Sequence, residues 1–545
     1  MNTFKKKSMH AAVLAGLGAL GAAGTANAVH INPDGLGQVL IYPYYTVRNG
    51  NFTALSIVNT TSLTKAVKVR FLEGKNSREV LDFNLFLSPQ DIWTGVIVAT
   101  TDGAKLETGD NSCVTPFDLF GDATGAIRND PLGLPINAFK NYQYTGTNVD
   151  NATLNSLDRT REGYMEVIEM GIVTDATLQG FIKHSQVAGA TKGVPANCQA
   201  LDAYDSASSA AAPATGKFPA NLVAPGGGLT GRASIFNTAG GNNYTTDVTA
   251  LDGWWNPIPA GPVPYSNSGN TLPSIATTAG IDTNSLVFIT GTPAVVGPPA
   301  VAAVPAGVVS AGWLTPREAV TSIFMRDTII NEFVTDAATV SKTDWVITMP
   351  TKRDNLPISG AAPFRPFTNP FASATATGAC DAYSLGIYNR EEGTTSSAPG
   401  TILPSPRPPV AIVQGANLCW EANVVEFGSA GLLASTNNFR LLPPADAFAS
   451  SGATSTGAAF ATVGRRVLQG PNGWAFLGFG LTSNPAQAAQ SMTPQTSSLN
   501  GVADAVPRTF FGLPVIGAMF HNYTNTGVAS SYGSVIPHKY TRNIR

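Results

Sequence analysis

The chain has 545 residues, of which only 12% are charged, with 55 glycines, 38 prolines and a formal net charge of −2. That charged share is about half the usual one, which excludes an architecture of long Glu-, Lys- and Arg-rich helices. A weakly acidic balance without a long basic run also argues against a nucleic-acid partner.

The N-terminus has the pattern of an export signal. Lys5, Lys6 and Lys7 precede the apolar run Ala11–Ala23, and Ala26-Asn27-Ala28 fits an A-x-A cleavage site. Residues 1–28 are therefore read as a signal peptide, with a mature chain from Val29. Losing three lysines moves the formal charge from −2 to −5. The expected location is the cell surface, the medium or the periplasm. No later stretch reaches about 18 uninterrupted apolar residues, so no membrane span is expected in the mature chain. The ending HKYTRNIR lacks the terminal aromatic of an outer-membrane barrel.

Gln38–Thr101 reads as five strands: QVLIYPYYTV, FTALSIVNT, AVKVRFLE, EVLDFNLFLSP and DIWTGVIVAT. Turn residues such as Arg48-Asn49-Gly50-Asn51 and Gly74-Lys75-Asn76-Ser77 divide them. In the third run Val67, Val69 and Phe71 alternate with Lys68 and Arg70, which puts apolar groups on one face and charges on the other. The spacing predicts an antiparallel meander with one face in a core and the charged face in water or in a polar contact.

Tyr164–Val173 is the next strand. Glu166 and Glu169 are three apart, so they point to opposite faces and are read as separately solvated acids. Leu178–His184 fits either a short helix or a strand. Gln199–Gly228 is rich in Ala, Ser, Pro and Gly and reads as a loop or linker. It divides an N-terminal β region, residues 29–198, from a second β-rich region, residues 229–545. Sheets shared between the two are expected, because neither half has a complete set of strands. Thr230–Asn237 and Tyr244–Leu251 read as a hairpin, and Thr292–Val309 as a low-complexity excursion. Thr315-Pro316-Arg317-Glu318 is a helix start with a capping box, opening a helix near 316–335. Thr343–Pro350, Ala422–Phe427, Asn438–Leu442, Gly473–Leu481 and Phe510–Tyr523 return to strand.

Export permits disulfides. Cys113, Cys198, Cys380 and Cys419 allow three pairings, of which Cys113–Cys198 with Cys380–Cys419 is the simplest. Each would close a long loop, stabilising by roughly 3–5 kcal/mol in the chain-entropy model.

No sequence pattern marks a catalytic site. The mature chain has four histidines, His30, His184, His521 and His538, and no G-x-S-x-G elbow. Asp91, Glu166, Glu169, Asp344, Glu421 and Glu426 are available for glycoside hydrolysis, but nothing in the sequence pairs them. H-E-x-x-H, EF-hand and phosphate-loop patterns are absent, and no cofactor or metal is expected. Trp254 and Trp255 are candidates for ligand stacking, though adjacent strand residues face opposite ways. Trp93, Trp313, Trp345 and Trp474 read as core.

YPYYTV, SIVNT, FLSPQDIW, GYMEVIEMG, TDWVITMPTKR and GLPVIG together resemble segments of a group of uncharacterised secreted or surface-associated proteins of Gram-negative bacteria. The resemblance is scattered over most of the mature chain. It implies one continuous β-rich secreted architecture and carries no catalytic residues.

The sequence thus predicts a mainly β, antiparallel sandwich-type protein with long Gly/Pro/Ala-rich loops and one or two short helices. The expected function is structural or cell-surface-associated, without an enzymatic site, with self-association through sheet edges. The alternatives are a module that binds a glycan or another envelope component and, third, a secreted hydrolase with a site assembled from loops.

Overall fold

The computed structural model describes residues 28–545 except 122–125, 152, 186–192, 210–217, 256–262, 291–304, 358–360, 371–378, 391–412, 429–430, 443–465, 468–470, 481–487 and 526–529. The signal-peptide reading of residues 1–28 and most of the Thr292–Val309 reading fall outside the described residues.

The protein is mainly β and is built from mostly antiparallel sheets, with the parallel pairs of Asn438–Leu442 as the exception among the described strands. Every run within Gln38–Thr101 forms a strand, but the expected meander is not what they build. Val39–Thr46, Lys65–Glu73 and Glu79–Leu87 lie in an eight-stranded sheet, whereas Asn51–Asn59 and Ile92–Ala99 lie in a five-stranded one. Only Lys65–Glu73 and Glu79–Leu87 pair in sequence order. Asn51–Asn59 pairs with Ile92–Ala99 by skipping two strands, and further partners come from far along the chain. Glu162–Val173 inserts between Val39–Thr46 and Lys65–Glu73, and Leu229–Asn237 pairs with Asn51–Asn59. Alternation fixes which side chains share a face; burial between layers decides which strands become neighbours. The two sheets stack face to face around Leu40, Val67, Phe83, Trp93, Ile97 and Val167.

A second sandwich follows. One five-stranded sheet holds Val413–Leu418, Asp381–Asn389, Asn472–Gly478, Thr328–Val334 and Lys539–Thr541 in that spatial order. The facing six-stranded sheet includes Lys342–Thr348 between Ala422–Phe427 and Ile516–Asn525. Phe333, Trp345, Ile347, Tyr383, Val425 and Leu477 fill the space between them.

The outer face of the eight-stranded sheet is also covered. Helix Pro316–Phe324, strands Asn284–Ile289 and Gly307–Gly312, and Trp254 and Trp255 share a core with Ile41, Leu72 and Ile168 of that sheet. Helices Ala176–Ile182 and Cys198–Ser209 cover another part, around Phe86 and Met170. Consequently all nine residues of Lys65–Glu73 are buried, while Asn51–Asn59 alternates between buried and half-buried.

The capping box forms as predicted: Thr315 Oγ1 accepts from Glu318 N, and Glu318 Oε2 accepts from Thr315 N. The helix ends at Phe324, not near 335, because Thr328–Val334 is a strand that buries Ile329, Asn331 and Phe333 alternately. The period of two, with β-branched Thr328, Ile329 and Ile330, favours strand over a continued helix here. Leu178–His184 resolves mainly as the helix Ala176–Ile182, capped by Asp175 Oδ1. With Lys352–Asn355 the described residues hold four α-helices, more than the one or two expected.

The described parts of Gln199–Gly228 carry regular structure. They contribute most of helix Cys198–Ser209, and Leu222–Val223 pairs with Glu162–Val173. The chain then stays in the first sandwich, since Leu229–Asn237 and Asn242–Asp247 extend its five-stranded sheet and Thr249–Asp252 its eight-stranded one. The two sandwiches meet where Tyr44, Tyr244, Val424, Leu433 and Phe520 share a core. Gly533 allows a close approach there, because a Cβ at that position would lie 2.6 Å from Asn243 O. The cysteines pair as Cys113–Cys198 and Cys380–Cys419. No described helix is long and apolar enough to cross a membrane.

Candidate functional site

The chemically richest part of the molecule is a buried polar seam between the sandwiches. Glu162 opens the strand Glu162–Val173 of the first sandwich, and its carboxylate reaches the second. It accepts from Arg48 Nε at 2.8 Å, Tyr44 OH at 2.8 Å, Ser435 Oγ at 2.5 Å, Thr436 N at 2.9 Å and Thr436 Oγ1 at 2.7 Å. Burial alone would push this carboxyl up. The charges of Arg48 and Lys75, with the hydroxyl donors, outweigh it and hold Glu162 at about 2.

Beside it, Glu73 accepts from the backbone of Lys75, Asn76 and Arg78, which folds the turn Gly74–Arg78 around its side chain. Arg159 bridges Glu73 and Asp150 at 2.7 and 2.8 Å. Lys75 Nζ crosses to Asn437 Oδ1 at 2.6 Å and lies over the Trp420 ring; burial lowers its pKa to about 8. Lys352 donates to the carbonyls of Ala379 and Cys419, so the lysine sits on the residues around the second disulfide. Buried charges with this many partners cost much to leave unpaired and fix geometry accordingly.

Three acids near the seam are held partly neutral. Burial raises Glu421 to about 8 against the attraction of Lys352, and its Oε2 is buried without a hydrogen-bond partner. Burial raises Glu166 to about 7 despite Arg70, and Asp354 to about 6 despite Arg70 and Arg353. Tyr164, whose hydroxyl donates to Ser77 Oγ at 2.8 Å, feels the charges of all three. Such groups can hold or release protons near neutrality. Glu421 and Glu166 are nevertheless buried, at 2% and 3% exposure, out of reach of a substrate in solution.

The solvated reading of the Lys68/Arg70 face is corrected here. Lys68 pairs with Asp82 and donates to Asn267 O at 2.9 Å, and Arg70 binds Glu79 and Glu166 at 2.7 and 2.8 Å. Glu166 and Glu169 do take separate partners, but neither is solvated: Glu169 is fully buried on Lys65 at 2.6 Å and accepts from the backbone of Gly226 and Gly227. The layer over the outer face, invisible to local alternation, accounts for both.

The structure pairs two acids that the sequence left apart. Asp344 and Glu426 stand opposite one another on adjacent antiparallel strands, both fully buried. Asp344 Oδ2 accepts from Leu432 N and Leu433 N, and Glu426 Oε2 is held by Arg440. Among the described residues, Asp344 Oδ1 and Glu426 Oε1 have no partner. Burial, then the charge of Glu426, drives the Asp344 carboxyl well above its usual range.

A serine, a histidine and an aspartate also meet. Ser88 Oγ lies 3.0 Å from Asp91 Oδ2 and 3.2 Å from His184 Nδ1. The same ring nitrogen is 3.6 Å from Asp91 Oδ2. A relay needs the imidazole to bridge nucleophile and acid through its two nitrogens. Here one nitrogen serves both, and Asp91 also accepts from Ser88 N, so the trio secures a turn. The remaining histidines are dispersed; His538 is buried on Val346 O, and burial lowers it to about 4.

The tryptophans exchange roles. Trp254 and Trp255 are 0% and 3% exposed, and Trp254 Nε1 donates to Ile275 O. Neither offers a face to a ligand, and the stacking reading is corrected: both pack under the covering layer. Trp93, Trp313 and Trp345 are core, but Trp474 is 42% exposed. It stacks on Tyr388 with centroids 4.4 Å apart and stands beside Phe476. In GWAFLGF the alternate set Ala475, Leu477 and Phe479 took the core side, a division that the sequence contains without saying which set faces inward. Among the described residues no group of three or more His, Cys, Asp or Glu is placed to hold a metal ion.

Comparison with models of protein families, with curated proteins and with solved structures found no match.

Proposed function

We propose that this chain is an exported structural protein of the cell surface, a rigid double sandwich that associates through its sheet edges. The observation that carries this reading is the seam. Glu162 is engaged in joining the two sandwiches through Ser435 and Thr436, and Glu73, Asp150 and Arg159 are taken up by one another beside it. The two disulfides suit an oxidising compartment. Among the described residues, strands Val413–Leu418 and Lys539–Thr541 each pair on one side only, the kind of edge through which another chain could add. Cell fractionation with native-size analysis tests the reading. Surface-located assemblies of many copies are expected; a monodisperse protein in the medium would overturn it.

A second reading rests on Trp474. An exposed tryptophan stacked on Tyr388 and flanked by Phe476 is a row of aromatic edges suited to a glycan or another envelope component. Retention of the monomer on a glycan array, abolished by Trp474→Ala, would favour this reading over the first. A hydrolase would instead require Ser88 to react with a fluorophosphonate probe, and no labelling is expected.

A further inference from the structure

We propose that Arg326 and Arg542 form a binding site for an oxyanion, a carboxylate or a phosphate-type group, beside the ring of Tyr540. Arg326 directly follows Met325 at the end of helix Pro316–Phe324, and Arg542 lies near the C-terminus. Arg326 Nη1 donates to Ile323 O at 3.0 Å, and Arg542 Nη2 donates to the same oxygen at 3.1 Å. A shared acceptor sets the two guanidinium groups side by side. Both lie against the same ring, with Cζ of Arg326 at 3.9 Å and Cζ of Arg542 at 5.1 Å from the Tyr540 centroid.

Neither arginine has an ion pair among the described residues, whereas the buried cations Lys65, Lys68, Arg70 and Arg159 each do and buried Lys75 is held by Asn437 and the Trp420 ring. Arg326 is only 5% exposed. Its remaining bond is to Met325 O, and Arg542 Nη1 donates to Phe288 O at 2.6 Å. Arg542 Nε is buried with no acceptor among the described residues. Capping of the helix end explains where the side chains sit but not their charge. The C-terminal end of a helix supplies only about half a negative charge against two positive ones. Two adjacent guanidinium groups in a poorly solvated place repel each other, and burial followed by the charge of Arg542 lowers the pKa of Arg326 accordingly. An oxyanion removes that repulsion and accepts the unused N–H groups, for which the planar guanidinium fork is matched. Tyr540, against whose ring both guanidinium groups lie, is 48% exposed, and the approach of an anion is assigned to that side.

The test is calorimetric titration of the full folded chain with inorganic phosphate and, separately, with glucuronate, at fixed ionic strength. Saturable one-site binding of at least one of them is expected, and the tighter of the two identifies a phosphate or a carboxylate as the source. Arg542→Gln should weaken that binding roughly tenfold or more, the loss of a charge-assisted hydrogen bond. Arg326→Lys keeps a charge at the buried position while losing the fork, and should also weaken it. No saturable binding of either anion, or unchanged affinity in folded Arg542→Gln, would overturn the proposal.

Discussion

Two strands with the same alternating grammar met opposite fates. Lys65–Glu73 sets cations against aliphatic residues, and every one of its side chains is buried. Asn472–Gly478 sets aromatic residues against small and aliphatic ones, and its tryptophan is exposed. The first lies in a sheet covered on both faces, the second in a sheet that, among the described residues, is covered on one. Polarity therefore did not decide exposure; the presence of a second covering layer did, and it was compatible with charge only because each cation found a carboxylate.

Reversing the charges of the buried face should break this comparison most severely. Lys68→Glu with Arg70→Glu would leave Asp82, Glu79 and Glu166 facing new acids in a buried layer. Breaking one buried pair costs about 3–5 kcal/mol, so the double variant should not reach the folded state, as read by near-ultraviolet circular dichroism. Normal folding would place that face in solvent.

Removal of Cys113–Cys198 by serine substitution should loosen the helix that helps cover the same sheet. A stability loss of roughly 3–5 kcal/mol in denaturant is expected for a loop of this length. Trp345→Ala in the second core should cost about 3–5 kcal/mol, whereas Trp474→Ala should change stability by less than about 1 kcal/mol. Equal losses for the two tryptophans would mean that Trp474 is covered.

The seam also makes stability depend on pH. Glu166, Asp354 and Glu421 are raised in the folded state to about 7, 6 and 8 by burial. Their contribution is fully present below the ordinary carboxyl pKa and is lost as pH rises through these folded values. Glu162, held at about 2, contributes in the opposite sense: its stabilisation is present above the ordinary carboxyl pKa and is lost on acidification towards pH 2. The thermal midpoint should therefore fall between about pH 5 and pH 8, with a shallower slope in Glu421→Gln. A midpoint that rises over that window would contradict these shifts.

The strands were legible because alternation and turn residues are local. Pro316 and the Thr315/Glu318 capping box were legible for the same reason. The coverage of Lys68 and Arg70 was not, since it comes from residues between 254 and 324 that lie far away in sequence. The same distance hid the opposition of Asp344 to Glu426, which depends on strand register, and the contact of Glu162 with Ser435 and Thr436. Arg326 and Arg542 carry no motif; only the fold brings them to one carbonyl.

Differential scanning calorimetry tests most directly whether the seam makes one body of the two sandwiches. The native chain should unfold in a single transition whose calorimetric and van't Hoff enthalpies agree, and Glu162→Ala should split it in two. Two resolved transitions in the native chain, or one undivided transition in a folded Glu162→Ala variant, would contradict the account.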